Sequence, residues 1–206
     1  MSSAALPYHH GNLRNALIIA AAELIERDGT LDFSISEAAA IAGVSAAAPY
    51  RHFSDKDALL NAVRDLAFLG LSNAAVQTAK EHAAGSIEGI LAMGHTYLQY
   101  ARDKRVFFSL MWEARADIDE RREKAQIEHH GFMILVELVS AFCRSYGTPE
   151  ANTTQLATSL WSLSHGIAIL EANQLLDMFD RTVTAESILD DSAQRILASV
   201  FASRPW

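Results

Sequence analysis

Residues Ser34–Phe53 read SISEAAAIAGVSAAAPYRHF, and this stretch decides the architecture. Ser34 is followed three residues later by Glu37, the spacing at which two side chains cap each other's free amides at a helix start. Ala38, Ala39, Ile41 and Ala42 continue the short helix and Gly43 breaks it. Val44 then anchors the turn, and Ser45 stands where it can cap a further short helix over Ala46–Phe53. Two short helices, a tight glycine turn and small residues at the crossing make a helix-turn-helix layout, whose second helix enters the major groove of DNA.

The residue types of that second helix suit the groove. Ser45, Ala46, Ala47 and Ala48 permit close approach, while Tyr50, Arg51 and His52 supply a hydroxyl, a fixed positive charge and a ring N–H. Lys56 sits at the start of the next helix, where backbone amides also point outward. An ordinary helical hairpin with two good caps is the competing reading, and the terminal Tyr50-Arg51-His52-Phe53 argues against it. Phe53 is expected in the core, as a large ring packed beneath the helix it follows. Pro49 removes one backbone hydrogen bond and crowds the preceding turn, so this helix is expected to be short or bent.

Outward from this motif, helical periodicity dominates and no alternating strand pattern appears. A first helix is expected to open at Asn12, bury Leu13, Leu17, Ala20, Leu24 and Ile25, and end at Gly29. Ser54 with Asp57 repeats the capping signature for a fourth helix carrying Leu59, Leu60, Val63 and Leu66 to about His82. Further helices are expected over Ser86–Arg102, Lys104–Glu113, Asp119–Ser145 and Glu150–Asp177, with Thr184 capping the last. The fold class is therefore all-α, with a three-helix N-terminal domain, a C-terminal helical bundle and about nine helices in all.

The 206 residues are half hydrophobic with only 4 prolines, enough to bury a core and without a flexible linker. The lone Cys143 cannot form an internal disulfide and reads as a small apolar residue. Neither a secretory leader nor an apolar run of the ~20 residues a membrane span needs is present, so a soluble cytoplasmic protein without membrane partners is expected. Residues 1–66 hold five Lys or Arg (Arg14, Arg27, Arg51, Lys56, Arg64) against eight Asp or Glu (Glu23, Glu26, Asp28, Asp32, Glu37, Asp55, Asp57, Asp65). No acid lies between Glu37 and Asp55, so the groove element is locally cationic within an acidic domain. Modest nonspecific affinity and a steep salt dependence follow.

Enzyme signatures are absent: no Gly-rich phosphate loop, no Gly-x-Ser-x-Gly elbow, no Ser-x-x-Lys. None of the eight histidines lies three or four residues from another, so no helical face presents a metal-binding pair, and neither metal nor cofactor is expected. The charged run Asp117–Lys124 reads as a solvated helix start. His95, His130 and His165 are embedded in apolar helical sequence, where a core histidine and a pocket histidine look alike. Candidate walls of a ligand pocket are His95, Tyr97, Phe108, Met111, Trp112, Trp161 and His165, together with Tyr100, Phe107 and Phe132.

The segment Tyr8–Phe68, from YHHGNLRNAL through AGVSAAAPYRHFSDKDALL, resembles the DNA-binding domain of the TetR family of regulators. Val44-Ser45, Tyr50-x-x-Phe53 and Lys56-x-x-Leu59-Leu60 carry the likeness. It implies that Ser34, Ser45, Tyr50, His52 and Lys56 lie at the DNA surface. LWSLSHGIA, with Trp161, His165 and Gly166, resembles the ligand-binding domain of a subgroup named for its Trp-His-Gly residues. The resemblance implies a DNA-binding domain over residues 8–68 and a ligand-binding and dimerisation domain over 69–206. It further implies a homodimer through the last two helices, operator DNA as partner, an unidentified small-molecule effector, and repression as the commoner mode. The acidic N-terminal domain motivates a second reading, a small-molecule-binding bundle that does not regulate DNA and shows no salt-sensitive DNA binding. A helical enzyme using the histidines is the third.

Overall fold

The computed structural model describes residues 13–112, 130–149, 151–178 and 182–202, apart from the side chains of 177 and 202. Among them are eight α-helices and no strand: α1 (Leu13–Asp28), α2 (Ile35–Ile41), α3 (Lys56–Glu81), α4 (Ile87–Asp103), α5 (Arg105–Trp112), α6 (His130–Ser145), α7 (Thr153–Ala172) and α8 (Ala185–Ala202). Short 3-10 turns occupy Pro49–Arg51 and Leu176–Met178. The Asn12 cap, the helix starts at Asp119 and Glu150, the run Asp117–Lys124 and His129 lie outside the described residues.

α1 buries Leu17, Ile18, Ala21, Leu24 and Ile25, the three-to-four spacing of one helical face. That face packs with Phe33, Ile35, Phe53, Leu59, Leu60 and Val63 into a first hydrophobic cluster, which Leu110 of α5 also joins. At α2 the capping box is complete. The Glu37 amide donates to the Ser34 hydroxyl at 3.2 Å and the Ser34 amide to the Glu37 carboxylate at 2.7 Å. At the other end Gly43 takes φ +71°, a conformation that costs other L residues ~1–2 kcal/mol. There its amide reaches the Ala40 carbonyl at 3.1 Å and the Val44 amide reaches Ala39 at 2.9 Å, satisfying carbonyls the helix leaves open. Ser34→Ala removes one reciprocal cap and is expected to lower unfolding free energy by about 1 kcal/mol, read as a lower urea midpoint at unchanged slope.

Two expectations are corrected here. The helix over Ala46–Phe53 is realised as turns and a single 3-10 turn. Residue 49 would donate the helical bond to the Ser45 carbonyl, but proline has no N–H. Ala48 donates to it instead at 3.0 Å, tightening the chain into i to i+3 geometry, and Phe53 closes back on Pro49 at 3.0 Å. Ala48, not Ser45, takes the cap position, without a side-chain cap. The cap of α3 is Asp55 rather than Ser54: its carboxylate accepts the Ala58 amide at 2.8 Å, and the Ser54 hydroxyl donates to that carboxylate at 3.0 Å. A carboxylate at a helix N-terminus gains from the dipole as well as from the bond, and its pKa is held below the ordinary value by these hydrogen bonds.

α3 runs 26 residues without a break, about 39 Å at 1.5 Å per residue. Its first half belongs to the cluster around α1. Its second half, through Ala75, packs into a second cluster with Ile90, Leu135, Val139, Phe142, Leu160 and Leu197 from α4, α6, α7 and α8. A third cluster joins Tyr97, Leu98, Phe108, Ile167 and Leu189. Cys143 is fully buried with the second cluster. Tyr100 of α4 donates its hydroxyl to the Ala67 carbonyl of α3 at 2.8 Å, and burial raises its pKa to about 12. Lys104 pairs with Glu26 of α1, while Arg102 bridges to Glu171 of α7 at 2.7 Å and to Glu186 of α8 at 2.6 Å. No described helix is long and apolar enough to cross a membrane.

Candidate functional site

The turn after α2 forms one exposed surface. Ser45, Ala46, Ala47, Tyr50, Arg51 and His52 all face solvent, and Tyr50 is 59 % exposed despite its aromatic ring. They stay outward because the neighbours anchor the turn: Pro49 is buried, and Phe53 lies in the first cluster at 4 % exposure. Arg14 extends over the Phe53 ring at 5.3 Å. Lys56, the first residue of α3, is half-buried with its ammonium 4.9 Å above the Phe33 ring, a cation–π contact that holds the charge near the helix N-terminus. Ser34 is exposed, but its hydroxyl also donates to Glu37 at 2.8 Å. The Ser34 bonds hold the Glu37 carboxyl below its ordinary pKa, so an anion sits at this edge of the surface. Of the eight residues expected at a DNA face, seven are exposed and Lys56 is half-buried, with Ser34 and Lys56 each engaged by a neighbour.

A second feature lies inside the bundle: a cavity of about 370 Å³ bounded by α3, α4, α5, α6, α7 and α8. Tyr97, Trp112 and Trp161 of the expected wall residues line it, and so does Phe132. The others do not. His95 is on the outside between α4 and α8, its Nε2 2.6 Å from the Asp190 carboxylate, with both side chains about 40 % exposed. Met111 is core beside Ala67 and Phe68, and Phe108 is core beside Leu98 and Ile167. His165 stands behind the wall. Its Nδ1 is 2.9 Å from the Tyr97 hydroxyl, its ring is stacked on Trp161 at 5.7 Å, and Trp112 meets it edge-on at 4.8 Å. Periodicity could not separate these cases, because a largely enclosed helix carries apolar residues toward core and cavity alike.

Burial pushes the Tyr97 pKa up, so its hydroxyl keeps its proton. Burial pushes the His165 pKa down, so the ring stays neutral and can accept the Tyr97 O–H at Nδ1. A His whose folded-state pKa lies below its unfolded value near 6.5 favours folding fully above that value. The contribution is lost as pH falls through the folded-state pKa. The wild type is therefore expected to lose more stability than His165→Gln between about pH 7 and pH 5 in urea titrations; equal losses would exclude this role for the ring.

Wall residues that periodicity did not single out include four from α3: Phe68, Leu71, Ser72 and Ala75. Phe68 meets Trp112 edge-on at 5.4 Å. The helix that begins with Lys56 at the exposed turn therefore forms part of the cavity wall twelve residues later, about 18 Å along its axis. Among the described residues no group of three His, Cys, Asp or Glu side chains could hold a metal ion.

Residues 17–63 match the family model described as bacterial regulatory proteins, tetR family. Residues 90–198, more than half of the chain, match the model described as tetracyclin repressor-like, C-terminal domain. No curated protein matches the sequence. Among solved structures, a Rhodococcus sp. RHA1 protein of unknown function is similar with 26 % identity and TM-score 0.73, covering 95 % of this chain and 98 % of its own. The TetR family transcriptional regulator PfmR from Thermus thermophilus shares the fold at 20 % identity and TM-score 0.55, with 88 % and 96 % covered. So does the fatty acid degradation regulator FadR from Bacillus halodurans, at 16 % identity and TM-score 0.61, with 92 % and 97 % covered. With its N-terminal and C-terminal parts matched in order by two models of one family, this chain belongs to the TetR family of DNA-binding transcriptional regulators.

Proposed function

We propose that the protein is a cytoplasmic, ligand-responsive repressor that binds a palindromic operator as a homodimer through α7 and α8. Residues up to about 68 read DNA and residues from about 69 bind the effector and dimerise. The observation that carries this reading is α3. One uninterrupted helix bears Lys56 at the exposed turn and Phe68, Leu71 and Ser72 at the cavity. A molecule in the cavity that favours one setting of α3 moves the reading turn with it, shifting the population toward or away from the DNA-competent form. Coupling of ~1–3 kcal/mol changes operator affinity ~5–150-fold. Ser45, Ala46, Ala47, Tyr50, Arg51 and His52 meet the groove, with Ser34 and Lys56 at the phosphates.

The outer face of α7 supports the dimer. Thr154, Thr158, Ser162, Gly166, Ile169 and Leu170 are exposed along a three-to-four stripe without a charge, and charge depletion marks interface cores. Two reading turns related by a two-fold axis would meet half-sites one helical turn, ~34–36 Å, apart. The test is a reporter gene in a heterologous bacterium, driven by a promoter that carries an inverted repeat selected by the purified protein. Expression of the chain is expected to lower reporter output. Raised output would make it an activator, and unchanged output would contradict regulation through that site.

A further inference from the structure

Two polar groups at the cavity have no hydrogen-bond partner among the described residues: the Trp112 indole Nε1 and the Ser72 hydroxyl. Ser72 lies on α3, is 3 % exposed and lines the cavity. The other wall hydroxyls are engaged: Thr96 with Thr78 at 2.7 Å, Tyr97 with His165 at 2.9 Å, Thr158 with the Thr154 carbonyl at 2.8 Å, and Ser164 with the Leu160 carbonyl at 3.0 Å. Ser72 makes no hydrogen bond among the described residues. Gly131 of α6 stands opposite, where an added Cβ would come to 3.4 Å from the Ser72 Oγ; the missing side chain keeps the hydroxyl open. A buried hydroxyl is destabilising unless it is paired.

The same cavity has no Asp, Glu, Lys, Arg or His among its described lining residues. An ion entering it would shed its hydration without a counter-charge from these residues, which disfavours charged ligands. We propose that the cavity takes an uncharged, largely apolar small molecule whose polar group hydrogen-bonds the Ser72 hydroxyl. This rests on the reading of the cavity as the effector site. Its volume of about 370 Å³ lies within the range of small-molecule pockets. Ser72 stands sixteen residues after Lys56 on the same helix, about 24 Å along the axis, so the ligand's polar anchor is on the element that joins both sites.

The test is calorimetric titration of the full chain with three probes of one chain length: 1-decanol, 1-chlorodecane and decanoate. The two neutral probes are expected to bind, and decanoate at least about tenfold more weakly. Ser72→Ala is expected to weaken 1-decanol about 3- to 10-fold and to leave 1-chlorodecane unchanged. Decanoate binding as tightly as 1-decanol overturns the uncharged class. A 1-decanol affinity unmoved by Ser72→Ala overturns the anchor. Gly131→Leu, which fills the space opposite Ser72, is expected to weaken both neutral probes. If it changes neither, or if the wild type binds no probe, the cavity itself is not the ligand site and the underlying reading fails with it.

Discussion

Arg51→Ala is expected to weaken operator binding roughly 30-fold or more, through a loss of about 1–3 kcal/mol at each of two half-sites in a dimer. Arg51 is the lone Lys or Arg between Glu37 and Asp55, and it is exposed on the turn after α2. The surrounding domain is acidic, so long-range attraction to DNA is weak and local cations carry the contact. The salt dependence separates this from misfolding. If Arg51 meets a phosphate, the slope of log K against log salt falls by roughly 0.9 per half-site, while stability changes within ~0.5 kcal/mol, as for most exposed substitutions. Retained affinity with an unchanged slope, measured by anisotropy of a labelled duplex at several salt concentrations, would remove Arg51 from the interface.

Gly85→Ala is expected to be among the most destabilising single-methyl changes in the chain. Gly85 follows α3 at φ +78°, and an added Cβ would lie 2.8 Å from the backbone C and O of Ala141 on α6. Backbone atoms inside a helix cannot rotate away, so overpacking of ~1–3 kcal/mol adds to a left-handed penalty of ~1–2 kcal/mol. The expected loss is therefore ~2–5 kcal/mol, enough to unfold a large fraction of a marginal domain. Gly43→Ala supplies the comparison. Its φ is similar at +71°, but nothing lies within 4 Å of the added Cβ, so only the backbone part of ~1–2 kcal/mol should appear. Equal losses for the two variants in urea titrations would show that the contact with α6 does not matter.

These residues also show what a sequence can and cannot tell. The Ser34–Glu37 box is legible because both partners lie within one helical turn, and local spacing sets their geometry. Pro49 is legible as a fault in a helix, though not that it reduces the segment to one 3-10 turn, since that depends on how Phe53 and Pro49 are buried together. Ser54 and Asp55 are hard to tell apart because both are good caps, and the choice between them rests on where the axis of α3 begins. At the cavity, Tyr97, Trp112 and Trp161 are picked out by chemistry that suits a ligand and an apolar core equally. His95 misleads because its partner, Asp190, comes from a helix ninety-five residues away. Ser72 and Gly131 are invisible for the same reason: a serine in an apolar run and a glycine near a helix start acquire meaning only when α3 and α6 are brought together.

DNA reading by the turn from Ser45 to Lys56 is tested most directly by selection of bound duplexes from a random pool at two salt concentrations. The expected result is enrichment of an inverted repeat with half-sites about one helical turn apart, bound more weakly at the higher salt and not recovered with Tyr50→Ala or Arg51→Ala. No enrichment at low salt, or enrichment that both variants reproduce, would contradict it.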